Sequence, residues 1–281
     1  MALEGSTIMR FAPGATVFAR GPGSLQFGAD ATRSGIVETP AAGPLAGVLR
    51  TLRSPTRLEW LVETARAECG LEPEEILSLV ADLLSYRVLV TTPPSAALLV
   101  GRTPLGDALL SLLASARMQV RTPLRRESHE RFLANSDRSL PLLVVDQLVS
   151  ATHLAHLTRQ RSGPIVPVSL VDARVFVGPV GMDRSGPCLH CAHLYHVDRD
   201  ANWARVARAI RDDPPEPDPL VIAAGAAAAA RVVRRICGAP DPPGVSAEHP
   251  ARGLRLIVDP FGPEPEIREE VPPHPSCPVC Y

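Results

Sequence analysis

Apolar positions along the chain fall into two regimes. From residue 12 to 92 the spacing begins at a strand period: Thr16–Ala19, Ser24–Phe27 and Gly35–Glu38 are short β-prone runs, with turn residues at Gly21-Pro-Gly23 and Asp30–Ser34 between them. It then becomes helical. Leu45, Val48, Leu49 and Leu52 make one stripe. Leu58, Leu61, Val62 and Ala65 make the next, after Ser54-Pro55 supplies a cap and a first-turn proline and before Gly70 stops it. A third helix begins at Pro73, with Glu74 and Glu75 at the positive end of its dipole and Ile76, Leu77, Val80, Leu83 and Leu84 on its apolar face. Val88–Val90 closes the segment as another strand.

After Pro93 and Pro94, which read as a linker, strands and helices alternate. Ala97–Val100 is a buried strand, turned by Gly101 into a helix over Pro104–Ala116. Met118–Val120, Leu140–Val145 and Ile165–Leu170 are further strands, and Ser150 or Thr152 can cap a helix running to about Arg161. Ala173–Val180 reads as a strand pair, Val197–Ile210 as a helix, and Gly253–Pro260 as a late strand. Leu220–Cys237 is an Ala-rich helix whose small side chains allow close packing on the sheet or, in a homodimer, on a second subunit. Alternation of this kind predicts a sheet covered on both faces. The expected fold class is α/β: a winged-helix (α+β) domain over 12–92, then a Rossmann-type, mostly parallel sheet domain over 96–281.

Composition changes the picture in three places. Aromatic residues are 4% of the chain, so the cores are built from Leu, Val and Ala. The net charge of −1 supplies no global attraction to nucleic acid or membrane. All 29 basic residues are arginines, so no lysine is present to grip a phosphate or form a Schiff base. The helix over Glu74–Tyr86 carries acids and no base, which argues against a DNA-reading helix. Met1–Phe11 lacks the apolar core of a signal peptide, and a cytoplasmic protein without a membrane anchor is expected.

Two Cys-x-x-Cys pairs carry the strongest chemical signal: Cys188-Leu-His-Cys191 and Cys277-Pro-Val-Cys280. Each puts two thiolates on one turn, and together they predict a closed, structural zinc site with four thiolate ligands; disulfides or free thiols are the alternatives. A reducing cytosol favours zinc. The first strand-to-helix turn, Gly101-Arg-Thr-Pro-Leu-Gly106, stands where a doubly wound sheet binds nucleotide phosphates. Its outer glycines are present, but Thr103 replaces the middle one and Pro104 removes a backbone donor; Arg102 is the one group that can substitute.

From about Ala96 to Tyr281 these features resemble the ThiF/MoeB superfamily of adenylating enzymes related to ubiquitin activation. The likeness rests on Gly101–Gly106, the strand ending in Asp146, Pro187-Cys188-Leu-His-Cys191, the Ala-rich helix and Cys277-Pro-Val-Cys280. Active members carry Asp-x-x-Asp-Asn after the third strand; here the run is Asp146-Gln-Leu-Val149-Ser150, with valine at the magnesium-holding position. The family's arginine segment and its phosphate-contacting lysine are also missing. The resemblance therefore implies a vestigial nucleotide site (Gly101, Arg102, Gly106, Asp146) without ATP as a cofactor, and a catalytically dead relative.

Residues 12–92 resemble the winged-helix peptide-recognition element that precedes degenerate ThiF-like domains in leader-peptide-binding partners of azole-forming (TOMM) cyclodehydratases. The runs Ser24-Leu-Gln-Phe-Gly28 and Leu49-Arg-Thr-Leu52 fit it, as do element order and sizes. In that family the leader adds to the small sheet as a strand. Carried over, Ile36, Val37 and Glu38 form the edge strand and Leu77, Val80 and Leu84 of the third helix the side wall. The implied function is a non-catalytic adaptor delivering a ribosomal precursor peptide to a YcaO-type cyclodehydratase. The alternative is an active ThiF-like adenylyltransferase acting on a carrier-protein C-terminus.

Overall fold

The structure, a computed structural model, describes residues 4–91, 95–182, 186–245 and 248–281. The linker prolines and residue 92 lie outside these. Two compact units are present: Met1–Pro93 with Ala239–Glu248, and Pro94–Gly238 with His249–Tyr281.

The first unit contains β1 (Ile8–Phe11), β2 (Val17–Gly21), β3 (Ser24–Phe27), α1 (Ala31–Ser34), β4 (Ile36–Glu38), α2 (Ala42–Arg50), β5 (Thr56–Arg57), α3 (Leu58–Cys69), α4 (Pro73–Ser85) and β6 (Leu89–Val90). Its strands form two three-stranded antiparallel sheets, β2-β3-β4 and β5-β1-β6. β1 lies ahead of residue 12 and shows period-2 burial, with Met9 and Phe11 inside and Ile8 outside. Gly70 ends α3 in the left-handed region, at φ +67°. At the start of α4 the Glu72 amide donates to Glu75 Oε2 at 2.9 Å, and Pro73 occupies the first turn. The stripes of α2, α3 and α4 meet β1, β2, β3 and β6 in one core.

The second unit contains β7 (Ala96–Val100), α5 (Pro104–Ser115), β8 (Gln119–Arg121), α6 (His129–Ala134), β9 (Leu142–Val145), α7 (Ala151–Thr158), β10 (Ile165–Val171), β11 (Arg174–Val177), α8 (Leu189–Arg199), α9 (Trp203–Asp212), α10 (Pro219–Ile236), β12 (Leu254–Val258) and β13 (Glu266–Glu270). The seven-stranded sheet has the order β13-β12-β11-β10-β9-β7-β8. β8, β7, β9 and β10 are mutually parallel; β11, β12 and β13 each reverse on the previous strand, so five of the seven run one way. Both faces are covered. Ala97, Leu99, Leu143 and Val145 point into the core under α5 and α10, while Leu98, Val100, Leu142 and Val144 point into the core under α6, α7 and α8. α10 packs so close to the sheet that a Cβ on Gly225 would sit 2.4 Å from Val175 Cγ2.

Several expectations change. Ala173–Val180 makes one strand, not a pair, because Gly178 (φ +99°) carries the chain against the Leu254 carbonyl, where a Cβ would sit 2.2 Å away. The helix expected over Val197–Ile210 is two: α8 starts at the first cysteine turn, and Asp200 breaks the run by leaving the helical region and accepting from the Asn202 amide at 2.8 Å. β13 has no apolar alternation and is held by pairing with β12.

Candidate functional site

The four cysteines converge. Cys188 stands at the N-cap of α8 and Cys191 in its first turn, while Cys277 and Cys280 lie on a turn that begins with the Cys277 amide donating to the His274 carbonyl at 3.0 Å. All four Sγ atoms lie within 4.8 Å of one another. Three of the separations are 3.8 Å (188–191), 3.6 Å (188–277) and 3.4 Å (191–280). A tetrahedron with Zn–S bonds of about 2.3 Å has edges of about 3.8 Å. A disulfide needs an S–S distance of about 2.05 Å, and all six cysteines are free. The cluster can therefore hold a zinc ion.

Its electrostatics fit that use. Cys191 accepts from the Cys188 thiol and from the His274 amide at 3.3 Å, and is drawn down to about 4 by these bonds. Cys188, the donor in that pair, is raised, and burial pushes Cys280 up to about 12. Thiols this close cannot all ionise without a cation between them. The tail that brings the second pair in has further anchors. The buried His274 bonds Asp198 through Nε2 at 2.9 Å and meets Tyr195 edge-on at 4.9 Å, and the Tyr195 hydroxyl donates to the Pro272 carbonyl at 3.1 Å. These supports escaped the sequence reading; His274, three residues before Cys277, was the available signal.

The histidines of α8 stay out of the cluster. His190 bonds Thr152 across to α7 at 2.9 Å and stacks on His193. His196 stacks on Trp203 at 4.3 Å, and burial holds it down to about 4.

The second candidate lies at the switch point between β7 and β9, outside the carboxyl ends of the strands. Gly101 has φ +117°, and a Cβ there would sit 2.0 Å from the Val145 carbonyl oxygen; one on Gly106 would sit 2.7 Å from the Gly101 carbonyl oxygen. Backbone packing alone thus demands both glycines. Thr103 caps α5 by accepting from the Gly106 amide at 3.2 Å and donates to Asp146 Oδ2 at 2.6 Å. Asp146, in the left-handed region at φ +51°, accepts from the Leu170 amide through Oδ1 at 2.7 Å. Burial pushes its carboxyl above the usual range against these two bonds. Arg102 is turned away to donate to the Pro123 carbonyl at 2.6 Å. Gly101, Gly106 and Asp146 are thus brought together, and the α5 N-terminus faces the chain's own carboxylate.

The third set lies in the first unit. Ile36, Val37 and Glu38 form β4, which ends its sheet, with Val37 opposite Leu25. Ile36 and Glu38 are exposed, and Val37 and Leu84 are half-buried against the same core. Leu77 is exposed on α4. Val80 differs from its expected part in a side wall: it is fully buried, so its side chain packs the core beneath α4 and is closed to a peptide.

No protein-family model matches the sequence, and no curated protein matches it. Solved structures do match by fold. One is the E. coli microcin synthetase McbBCD complex with pro-MccB17 bound, where the likeness covers 97% of this chain and 99% of that one at 11% identity and a TM-score of 0.63. Two more are a heterocyclase in complex with substrate and cofactor (16% identity) and the heterocyclase TruD (15% identity), each covering 98% of this chain at a TM-score of 0.59. The chain spans 39% and 43% of the lengths of those two heterocyclases. At these identities the likeness is one of fold.

Proposed function

We propose that this protein is a non-catalytic adaptor: its first unit binds the leader of a ribosomal precursor peptide and presents the peptide to a separate YcaO-type, azole-forming cyclodehydratase that acts on its Cys, Ser or Thr residues. The observation that carries this reading is the fold likeness across almost the whole chain, both units included, to a chain of a synthetase assembly with its precursor bound. The switch point supports the non-catalytic part. A phosphate approaching α5 would meet the half-buried Asp146 carboxylate, with Arg102 committed elsewhere and valine at position 149. Adenylyl transfer needs cationic stabilisation of the phosphates, and the described groups of this turn supply none.

In this reading the leader adds as a strand to the outer edge of β4 and rests its side chains on Ile36, Leu77 and Leu84. Zinc is the structural cofactor, held by Cys188, Cys191, Cys277 and Cys280; it ties the C-terminal turn to α8. The test is titration of the full chain into fluorescently labelled leader peptide from a precursor encoded beside a YcaO-type enzyme. Saturable binding, with no ATP–pyrophosphate exchange, is expected. Exchange that disappears in Arg102→Gln would establish the adenylyltransferase instead, and absence of leader binding would remove the adaptor.

A further inference from the structure

The β2-β3-β4 sheet ends at β4, and among the described residues no strand pairs beyond it. The ladder inside the sheet fixes which backbone groups that edge offers. Bonded and non-bonded pairs alternate along an antiparallel ladder. The Phe27 amide donates to the Gly35 carbonyl at 3.2 Å, and the Thr39 amide donates to the Gly23 carbonyl at 2.9 Å. Gly35, Val37 and Thr39 therefore turn their polar backbone groups toward β3. Ile36 and Glu38, which lie opposite Gln26 and Ser24, turn theirs outward.

This edge is closed at both ends. The residues in phase with Ile36 and Glu38 are Ser34 and Pro40. The Ser34 amide is spent within α1, donating to the Asp30 carbonyl at 3.3 Å, and a proline has no N–H to offer. α1 is held against unwinding into a longer strand. Asp30 caps it by accepting from the Thr32 amide at 3.0 Å, and Gly244 packs on it so closely that a Cβ there would sit 2.9 Å from Arg33 Cβ. At the opposite edge of the sheet the Val17 carbonyl already accepts from Arg50 Nε at 3.5 Å.

We infer that the leader is read at β4 through two rungs only, the N–H and C=O of Ile36 and those of Glu38, with four main-chain hydrogen bonds in all. This rests on the adaptor reading and adds to it the chemistry of the recognised segment. Whether a strand adds antiparallel or parallel, bonding to two edge residues in phase uses two of its own N–H groups, two residues apart. The recognised stretch is thus an extended segment with a residue other than proline at each of those two positions.

The test is an ester scan. The full chain is titrated into labelled leader peptides in which one backbone amide at a time is replaced by an ester, which removes a single donor. Two positions, two residues apart, should each weaken binding about threefold to tenfold, and the rest should stay within about twofold. Amide exchange at Ile36 and Glu38 should slow when the leader binds, while Val37, already bonded to β3, should not change. Three or more sensitive positions, a different spacing, or no sensitive position in a leader that binds overturns the inference and leaves the adaptor standing. Slow exchange at Ile36 and Glu38 before the leader is added does the same, since the edge would then be paired with a second copy of the chain. An unmodified leader that does not bind removes the adaptor, and this inference with it.

Discussion

Single residues carry the sharpest tests. Gly101 combines a left-handed backbone with a carbonyl 2.0 Å from where its Cβ would be. Gly101→Ala should cost about 2–4 kcal/mol, read as a lowered urea midpoint at unchanged slope; a variant within about 0.5 kcal/mol of wild type, the range of a surface change, would show that the close approach is not real. His196 sets a pH dependence. An unfolded histidine titrates near 6.5, and His196 is held down to about 4 by burial, with Arg199 and Arg255 adding to it. The unfolded chain therefore takes up this proton first as pH falls. Stability from this group is full above about pH 6.5 and drops across the window down to about 4, by up to about 3 kcal/mol. His196→Phe should flatten that part of the curve in melts between about pH 7.5 and 4.5, and identical curves for the two proteins would refute the assignment. At the cysteines, purified protein should contain about one zinc per chain, and the Cys277→Ser, Cys280→Ser double variant should lose the metal and melt lower. A metal-free wild type with four reactive thiols would end the zinc reading.

Elements show why the proposed leader surface divides as it does. β4 is short and ends its sheet, so main-chain pairing can supply affinity there while side chains choose the partner. α4 presents two kinds of apolar residue on one stripe. Leu77 lies on its exposed shoulder, and Val80 is the central core position. Ile36→Asp and Leu77→Asp should each weaken leader binding by about tenfold with a smaller change in melting temperature than a core substitution, since both residues reach the surface. Val80→Ala should do the reverse, costing about 2 kcal/mol of stability while the remaining folded protein binds leader normally. Equal binding by all three variants would move the leader away from β4 and α4. Periodicity identified the α4 stripe, but it cannot rank positions within a stripe, because burial of each depends on what packs opposite.

At the scale of the molecule, one unit pairs its helices α1 to α4 with two small sheets, and the other wraps a seven-stranded sheet whose switch point is filled by its own side chains. Among the described residues no helix is long and apolar enough to cross a membrane. The architecture was legible where local rules govern it. Apolar spacing identified α2, α3, α4, α5 and α10, and the LLVV run of β9 marks a strand buried on both faces. The doubled Cys-x-x-Cys spacing pointed to the four cysteines that the fold brings together, because two thiolates on one turn are a local requirement of tetrahedral coordination.

What remained was decided by contacts between distant positions. β13 exists because β12 offers it an edge, and β4 ends its sheet because no described strand pairs beyond it. Gly101 and Gly106 suggested phosphate from sequence spacing, yet the Val145 carbonyl and the carboxylate of Asp146 occupy their surroundings. Arg161 marked only the end of a helix in the sequence; the fold buries it, with Nη2 donating to the Asp137 and Leu140 carbonyls. Sequence by itself determined most of the helices and the central strands, their order and the four cysteines that meet, since helix and strand periods and turn chemistry act over a few residues. Only the tertiary structure decided which glycines serve packing, which apolar residues remain outside and which charge is buried, because each depends on partners tens of residues away.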